Sequence, residues 1–181
     1  MAAKAKRSWR EKLEDSKDLP KVMAIEDGMV KKWGGGTVVI PAPLEVDEIM
    51  RKVPEGRLIT INGIRSALAK KHGATIGCPM CTGIFASIAA RAAAETAEAG
   101  EKDVTPYWRT LKEGGVINEK YPGGLEGQKE MLEKEGHIVV QKGKKLAVQD
   151  YDEKLIELKL KKRAMAGSSV GSRDRSRQPA A

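Results

Sequence analysis

Apolar residues recur at helical spacing in the segment 46–53. The residues that share one face of this predicted helix are Val46, Ile49, Met50 and Val53. Pro54 then ends the helix. A second segment repeats the pattern with Ile61, Ile64 and Leu68 after Thr60, a residue type that is favoured as an N-cap. Two helices joined by a short connection are predicted here.

A third helix is predicted from Pro79, a residue type favoured at the first helical position, to about Gly100. Its sequence is rich in alanine. A helix, a short glycine-containing turn and a second helix are typical of helix-turn-helix proteins. Any bundle of three helices would give the same pattern, so both architectures remain open at this point.

Two segments predict β-structure. Residues 37–40 are a short β-branched run that Pro41 stops, which is typical of a brief strand. After a helix predicted over 125–135 and closed by Gly136, apolar residues alternate on both sides of Lys142-Gly143-Lys144. This alternation predicts a hairpin with a cationic tip. Behind a helix-turn-helix it would be a wing that faces phosphate, and an ordinary solvated turn fits equally well.

The composition indicates a basic protein. The 181 residues include 33 Lys and Arg against 25 Asp and Glu, for a net charge of +8. This balance favours a polyanionic partner, most often nucleic acid, although excess lysine can also simply keep a protein soluble. No segment resembles a signal peptide or a membrane span, and two cysteines argue against a disulfide-stapled secreted scaffold. We therefore predict a cytoplasmic protein without a membrane partner.

Short motifs follow the third helix in a fixed order. They are Pro106-Tyr107-Trp108-Arg109, Tyr121-Pro122-Gly123-Gly124-Leu125 and Leu132-Glu133-Lys134-Glu135-Gly136. From about Pro54 to Gly136 this order resembles the DNA-binding, catalytic domain of the methylated-DNA–protein cysteine methyltransferases. The resemblance implies a mainly α fold with a small β-hairpin, arranged as a winged helix-turn-helix-like domain. It leaves both chain ends unexplained.

Three parts of the chain are predicted on this basis. Residues 1–36 are a basic N-terminal extension, and residues 37–162 are the alkyltransferase-like winged-helix DNA-binding domain. Residues 163–181 are rich in Ser, Gly and Arg and have almost no apolar content, which predicts a disordered tail.

The catalytic positions of that family are replaced in this chain. Its enzymes use a cysteine, activated by a histidine and a glutamate, to accept an alkyl group from guanine, and the reaction needs a thiolate. The resemblance places Tyr107 at the cysteine position and Trp108 at the histidine position, whereas Glu135 matches the glutamate. A phenol with a pKa of about 10 is protonated at neutral pH, so alkyl transfer through Tyr107 is not expected.

The scaffold that remains resembles the alkyltransferase-like proteins, which bind alkylated DNA without repairing it and hand the lesion to excision repair. In one interpretation Tyr107 and Trp108 stack on an extruded base. In the other, both aromatic side chains fill the former pocket as core and leave plain DNA binding. The predicted pocket residues are Pro106, Tyr107, Trp108, Arg109, Tyr121, Pro122, Gly123 and Glu135.

Phosphate contacts are predicted to dominate the affinity for DNA. The family's tyrosine that pushes on the target phosphate aligns with Ile61, and its arginine that replaces the flipped base falls near Met80 or Cys81. Small polar residues on the third helix favour close approach to a groove without strong base readout. Weak sequence specificity and strong salt dependence follow. The predicted DNA-binding residues are Thr60, Met80, Thr82, Ser87, Arg91, Lys142, Lys144 and Lys145.

Cys78-Pro79-Met80-Cys81 allows three interpretations. A Cys-x-x-Cys at a helix start has a thiol pKa depressed by the helix dipole, which suits redox or nucleophilic chemistry. With His72 and His137 the pair would complete a zinc site. Packing is the third interpretation and the one we predict, so no metal and no cofactor are expected.

The predicted function is a non-enzymatic protein that binds double-stranded DNA and recognises alkylated guanine for repair. An excision-repair protein is a candidate further partner. One alternative is an enzyme, either an alkyltransferase that uses Cys78 or Cys81 or another base-directed activity in the remodelled pocket. The other is a transcription regulator that binds DNA in general.

Overall fold

The computed structural model describes residues 5–158, and about half of these residues are helical. The α-helices are α1 (Trp9–Glu14), α2 (Asp27–Trp33), α3 (Pro43–Arg51), α4 (Ile61–His72), α5 (Pro79–Glu98) and α6 (Gly124–Lys134). The strands are β1 (Lys21–Ala24), β2 (Thr37–Ile40), β3 (Ile59–Thr60), β4 (Ile76–Gly77), β5 (Thr110–Leu111), β6 (Val139–Lys142) and β7 (Lys145–Val148). The helices and strands predicted above are confirmed, and the winged-helix arrangement stays a prediction.

The main core cluster lies between α3, α4 and α5. Its buried members are Val39, Val46, Ile49, Met50, Val53, Ile59, Ile64, Ala67, Leu68, Ala86 and Ala89. The apolar faces predicted for α3 and α4 supply most of them, which confirms the helical periodicity. Helix α5 contributes alanines, and their small side chains let it lie close to α3. Thr60 begins α4, because its hydroxyl accepts a hydrogen bond from the Gly63 amide at 3.1 Å.

A three-stranded sheet in the order β1-β2-β4 covers one side of this core. Strand β2 pairs antiparallel with β1 and parallel with β4, so that Val39 lies opposite Gly77. Gly77 allows a close approach of α4, since a Cβ atom there would lie 2.7 Å from the Arg65 carbonyl oxygen. The Arg65 Nε donates to the Gly77 carbonyl at 3.0 Å, which fixes the strand on the helix.

The described part of the predicted N-terminal extension, residues 5–36, contacts the rest of the molecule. Strand β1 joins the sheet, and α1 packs against α5. The Trp9 amide donates to the Glu95 carboxylate at 2.9 Å, and the Arg91 guanidinium lies 4.9 Å from the Trp9 ring centroid. These contacts attach the segment to the outer face of α5.

A second core cluster lies beneath the hairpin of β6 and β7. Its buried members are Leu58, Leu111, Ile117, Leu132 and Val148. The two strands pair antiparallel from Val139 opposite Val148 to Lys142 opposite Lys145, and Gly143 turns the chain with φ of 63°. Ile138, just before β6, is 60% exposed. The predicted hairpin is confirmed, and its outer surface faces solvent.

No helix among residues 5–158 is long and apolar enough to cross a membrane. The tail predicted for residues 163–181 lies outside the described residues.

Candidate functional site

Tyr107, Trp108 and Arg109 form one turn of 3-10 helix between α5 and β5, directly after the buried Pro106. Their side chains leave the turn in different directions. Tyr107 packs against the main core cluster, and Trp108 packs against the second core cluster. Arg109 reaches Glu135 at the end of α6. The turn therefore brings together most of the predicted pocket residues.

Arg109 and Glu135 form a nearly buried ion pair. The Arg109 Nη2 lies 2.6 Å from Glu135 Oε1, and its Nε lies 3.0 Å from each carboxylate oxygen. The Arg109 Nη1 also donates to the Val53 carbonyl at 2.7 Å. One side chain thus ties the turn to the ends of α3 and α6, a positioning role rather than a chemical one.

Trp108 and Gly56 complete the surroundings of the Glu135 carboxylate. The indole Nε1 of Trp108 donates to Glu135 Oε1 at 2.8 Å, and the Gly56 amide points to Oε2 at 3.5 Å. Burial raises the pKa of Glu135, but the donors Arg109 and Trp108 outweigh burial and leave the pKa below its ordinary value. Glu135 is therefore an ionised acceptor with its lone pairs in use, and it is not free to act as a base.

Tyr107 lies between two other aromatic rings. Its ring centroid is 5.4 Å from that of Trp108 and 5.8 Å from that of Tyr121, with both pairs in edge-to-face geometry. Burial raises the pKa of the Tyr107 phenol, so its hydroxyl is neutral at physiological pH. The side chain is half-buried and offers part of its surface to solvent.

The loop that was predicted to cover the pocket places Tyr121 inside the protein. Tyr121 is 3% exposed, and its hydroxyl has no hydrogen-bond partner among residues 5–158. Pro122 is half-buried and Gly123 is exposed at the start of α6. Tyr121 therefore contacts Tyr107 from the core side, and only Pro122 and Gly123 present a loop surface.

Gln128 is a site residue that sequence reasoning missed. It is fully buried in α6, and its Nε2 donates to the carbonyls of Trp108 at 3.1 Å and Thr110 at 3.4 Å. Its Oε1 accepts from the Asn118 amide at 2.7 Å. The available signal was its position one helical turn before the buried Leu132 on the same face of α6.

One stripe of α5 faces solvent. Met80 is 66% exposed and Ile84 is 51% exposed, one helical turn apart, with the half-buried Ser87 and the exposed Arg91 following on the same side. These three predicted DNA-binding residues, Met80, Ser87 and Arg91, therefore share a surface. Arg91 also donates to the Lys120 carbonyl at 3.4 Å.

The prediction that Thr82 contacts DNA is wrong. Thr82 is fully buried, and its hydroxyl donates to the Cys78 carbonyl at 2.7 Å. Thr60 is half-buried and its hydroxyl caps α4, so its oxygen already has a donor. The polar surface available on the first turns of α4 and α5 is smaller than the sequence suggests.

The three hairpin lysines Lys142, Lys144 and Lys145 are all exposed. None of them pairs with a carboxylate within residues 5–158, whereas the neighbouring Lys112 lies 2.8 Å from Glu119. Together they form the cationic tip that the sequence predicts.

A cavity of about 300 Å³ lies beside the aromatic turn, and three of the predicted pocket residues, Pro106, Trp108 and Arg109, line it. Its lining residues are Arg51, Lys102, Asp103, Val104, Pro106, Trp108 and Arg109. Arg51 is held on α3 by the buried Asp47, with its Nε 3.2 Å from Oδ2. Trp108 and Arg109 therefore border an open, charged depression on the side of the turn that faces α3.

The two cysteines lie elsewhere. Cys78 is buried with Ile25 and Val38 in a third core cluster, beside Cys81 and against the sheet. His72 does not join them, since its Nε2 lies 2.7 Å from Glu45 Oε1. Within residues 5–158 no three His, Cys, Asp or Glu side chains are grouped to hold a metal ion.

No family model and no curated protein matches the chain. Among solved structures, the crystal structure of S. pombe Atl1 in complex with damaged DNA containing O6-carboxymethylguanine is similar. The likeness covers 64% of this chain and 94% of that chain, with 16% sequence identity and a TM-score of 0.44.

Proposed function

We propose that this chain is a non-enzymatic DNA-binding protein of the alkyltransferase-like type that recognises alkylated guanine. The observation that carries the proposal is the turn Tyr107–Arg109 with its partner Glu135. An aromatic pair stands where the enzymes that the sequence resembles have a thiol and its base. The resemblance implies that Arg109 and Glu135 of that site are retained and that its nucleophile is replaced.

The chemistry of the turn supports binding rather than group transfer. The Tyr107 phenol is neutral, because burial raises its pKa. Glu135 is occupied by Arg109 and Trp108, so it cannot take a proton from the phenol. The cysteines pack in the third core cluster, whereas Tyr107 packs against the main one. The turn therefore offers no activated nucleophile that could accept an alkyl group.

Two surfaces support DNA as the partner. The exposed lysines of the hairpin suit phosphate, and Met80 and Ile84 at the start of the α5 stripe are exposed for contact with a groove. Arg91, at the other end of the stripe, also contacts the Trp9 ring and the Lys120 carbonyl. Phosphate contacts supply affinity for any duplex. The half-exposed Tyr107 and Trp108 supply a preference for a base that has left the stack.

Fluorescence titration against a labelled duplex with one O6-methylguanine, and against the same duplex with guanine, tests the proposal. We expect binding to both at low salt, tighter binding to the modified duplex, and an unchanged intact mass of the protein afterwards. Absence of binding at low salt would refute DNA as the partner. A methyl group gained by the protein would show that it is an enzyme.

The variants Tyr107→Ala and Tyr107→Phe separate recognition from general affinity. Phenylalanine keeps the ring and removes only the hydroxyl, so Y107F should keep the preference for the modified duplex. Y107A should lose it while its affinity for the unmodified duplex stays within about twofold, because phosphate contacts remain. Equal loss on both duplexes in Y107A would mean that the ring only supports the fold.

A second candidate is a general DNA-binding module, such as a transcription regulator. The packing of the buried Tyr121 against Tyr107 favours it, because aromatic rings that contact one another can serve as core. Equal affinity of the wild-type protein for both duplexes would show that it is a general DNA-binding module. A footprint on one defined sequence would then identify a transcription regulator. An excision-repair partner remains a prediction.

A further inference from the structure

We infer that Cys78 and Cys81 form a reversible redox couple, which a small-molecule disulfide such as oxidised glutathione converts into an intramolecular disulfide. Both cysteines are free thiols in the structure, and their Sγ atoms lie 2.9 Å apart. A disulfide bond is about 2.05 Å long, so the two atoms need to approach by less than about 1 Å. This inference does not depend on the proposed function.

The start of α5 holds the two thiols together. Cys78 is the N-cap residue, and its Sγ accepts a hydrogen bond from the Cys81 amide at 3.3 Å. The Cys78 amide donates to the Val39 carbonyl of β2 at 2.9 Å, and its carbonyl accepts from the Thr82 hydroxyl. These contacts fix the backbone of Cys78 and keep its Sγ atom beside that of Cys81.

The two thiols differ in access. Cys78 is 5% exposed, whereas Cys81 is half-buried and follows the exposed Met80. An external disulfide therefore reacts first with Cys81. The buried Cys78 then attacks the mixed disulfide that has formed at Cys81. Burial and the neighbouring Cys78 raise the pKa of Cys81 to about 12, which is opposite to the lowering that its place at a helix start predicts. Oxidation is therefore slow at neutral pH and faster in alkaline solution.

This thiol–disulfide exchange needs no metal and no oxidant other than oxidised glutathione. The Cys81 thiol loses its proton, attacks one sulfur of oxidised glutathione and displaces one glutathione thiolate. The Cys78 thiol then loses its proton, attacks Cys81 in the mixed disulfide and displaces a second glutathione thiolate. Two protein thiols are oxidised and one glutathione disulfide is reduced. The two released protons return to the two glutathione thiolates.

Intact mass spectrometry of the full chain tests the inference, because these are its only two cysteines. The protein is equilibrated in buffers of increasing oxidised-to-reduced glutathione ratio, alkylated with iodoacetamide and weighed. We expect two alkyl labels in reducing buffer. In oxidising buffer we expect an unlabelled monomer that has lost two hydrogens. The rate of conversion should rise with pH, because the thiolate is the attacking species.

The single variants Cys78→Ser and Cys81→Ser serve as controls. C78S keeps the accessible thiol and should stop at a mixed disulfide with one glutathione, while C81S should react at least tenfold more slowly than C78S. Wild-type protein that stays doubly alkylated in fully oxidising buffer would overturn the inference. So would wild-type protein that accumulates two glutathione adducts or a covalent dimer instead of the internal disulfide.

Discussion

The guanidinium of Arg109 contacts both carboxylate oxygens of Glu135, and the two side chains are only 13% and 8% exposed. Because Arg109 also donates to the Val53 carbonyl, this pair joins the turn of Tyr107, α3 and α6 at one point. The geometry is bidentate, which a guanidinium provides and an ammonium does not. The position of the aromatic turn therefore depends on this contact.

The substitution Arg109→Lys should destabilise the protein by about 2–4 kcal/mol, because it leaves a nearly buried carboxylate with a poorer partner. Urea unfolding followed by circular dichroism measures the change. The exposed pair of Lys134 and Glu130 on α6 provides a matched control, since Lys134→Ala should cost less than about 0.5 kcal/mol. Equal effects of the two substitutions would contradict a structural role for Arg109.

Glu135 should also make the stability depend on pH in acid. Burial raises its pKa, but Arg109 and Trp108 lower it to a value below the ordinary 4.5. The ionised carboxylate therefore stabilises the folded state above about pH 4.5, and this stabilisation is lost as the pH falls through the folded-state pKa. Glu135→Gln should be less stable near neutral pH and should lose less stability than wild type between about pH 5 and pH 3.

Thermal unfolding of both proteins over this pH range checks the prediction. Glu45, whose pKa is also lowered and which pairs with Lys71, remains in both and supplies a common background. Glu130→Gln on the exposed face of α6 is the control and should follow the wild-type curve. Parallel curves for E135Q and wild type would show that the Glu135 carboxylate adds nothing to stability.

The sequence predicted the helices well where one face is apolar and the other polar. The periodic positions of α3 and α4 are all buried or half-buried, as expected. In α5 small residues occur on both sides, so the pattern could not tell the buried Thr82 from the exposed Ile84. A helix that packs through alanine gives little periodic signal.

Long-range contacts account for most of what the sequence could not predict in the site. The resemblance placed Arg109 and Glu135 in one region, but neither spacing nor periodicity indicates that their side chains meet. Gln128 appears in the sequence as one more polar residue of α6, although it is fully buried. Strand β4 has only two residues, too few for any alternation to be visible.

Two glycine-to-alanine substitutions should change stability in opposite directions. Gly77→Ala places a Cβ atom 2.7 Å from the Arg65 carbonyl oxygen, which is backbone and cannot move aside, so it should destabilise by about 1–3 kcal/mol. Gly83→Ala lies in α5 with no atom within 4 Å of the new Cβ atom. It should stabilise by about 0.5–1 kcal/mol, because glycine is a poor helix former. Chemical denaturation of both variants checks the signs, and a stable G77A protein would contradict the close approach of α4 to β4.

The three hairpin lysines should determine the salt dependence of DNA binding. If each of Lys142, Lys144 and Lys145 neutralises one phosphate, replacing all three by glutamine should lower the slope of log K against log salt by about 2–3. Replacing Lys17, Lys31 and Lys32 by glutamine changes the net charge equally at exposed positions in the N-terminal segment. This control should change the slope by less than about 1 if the hairpin is the contact surface.

Fluorescence anisotropy at four or more salt concentrations measures both slopes on an unmodified duplex. Equal slopes for the two triple variants would mean that overall charge attracts DNA and that the hairpin does not contact it as a wing.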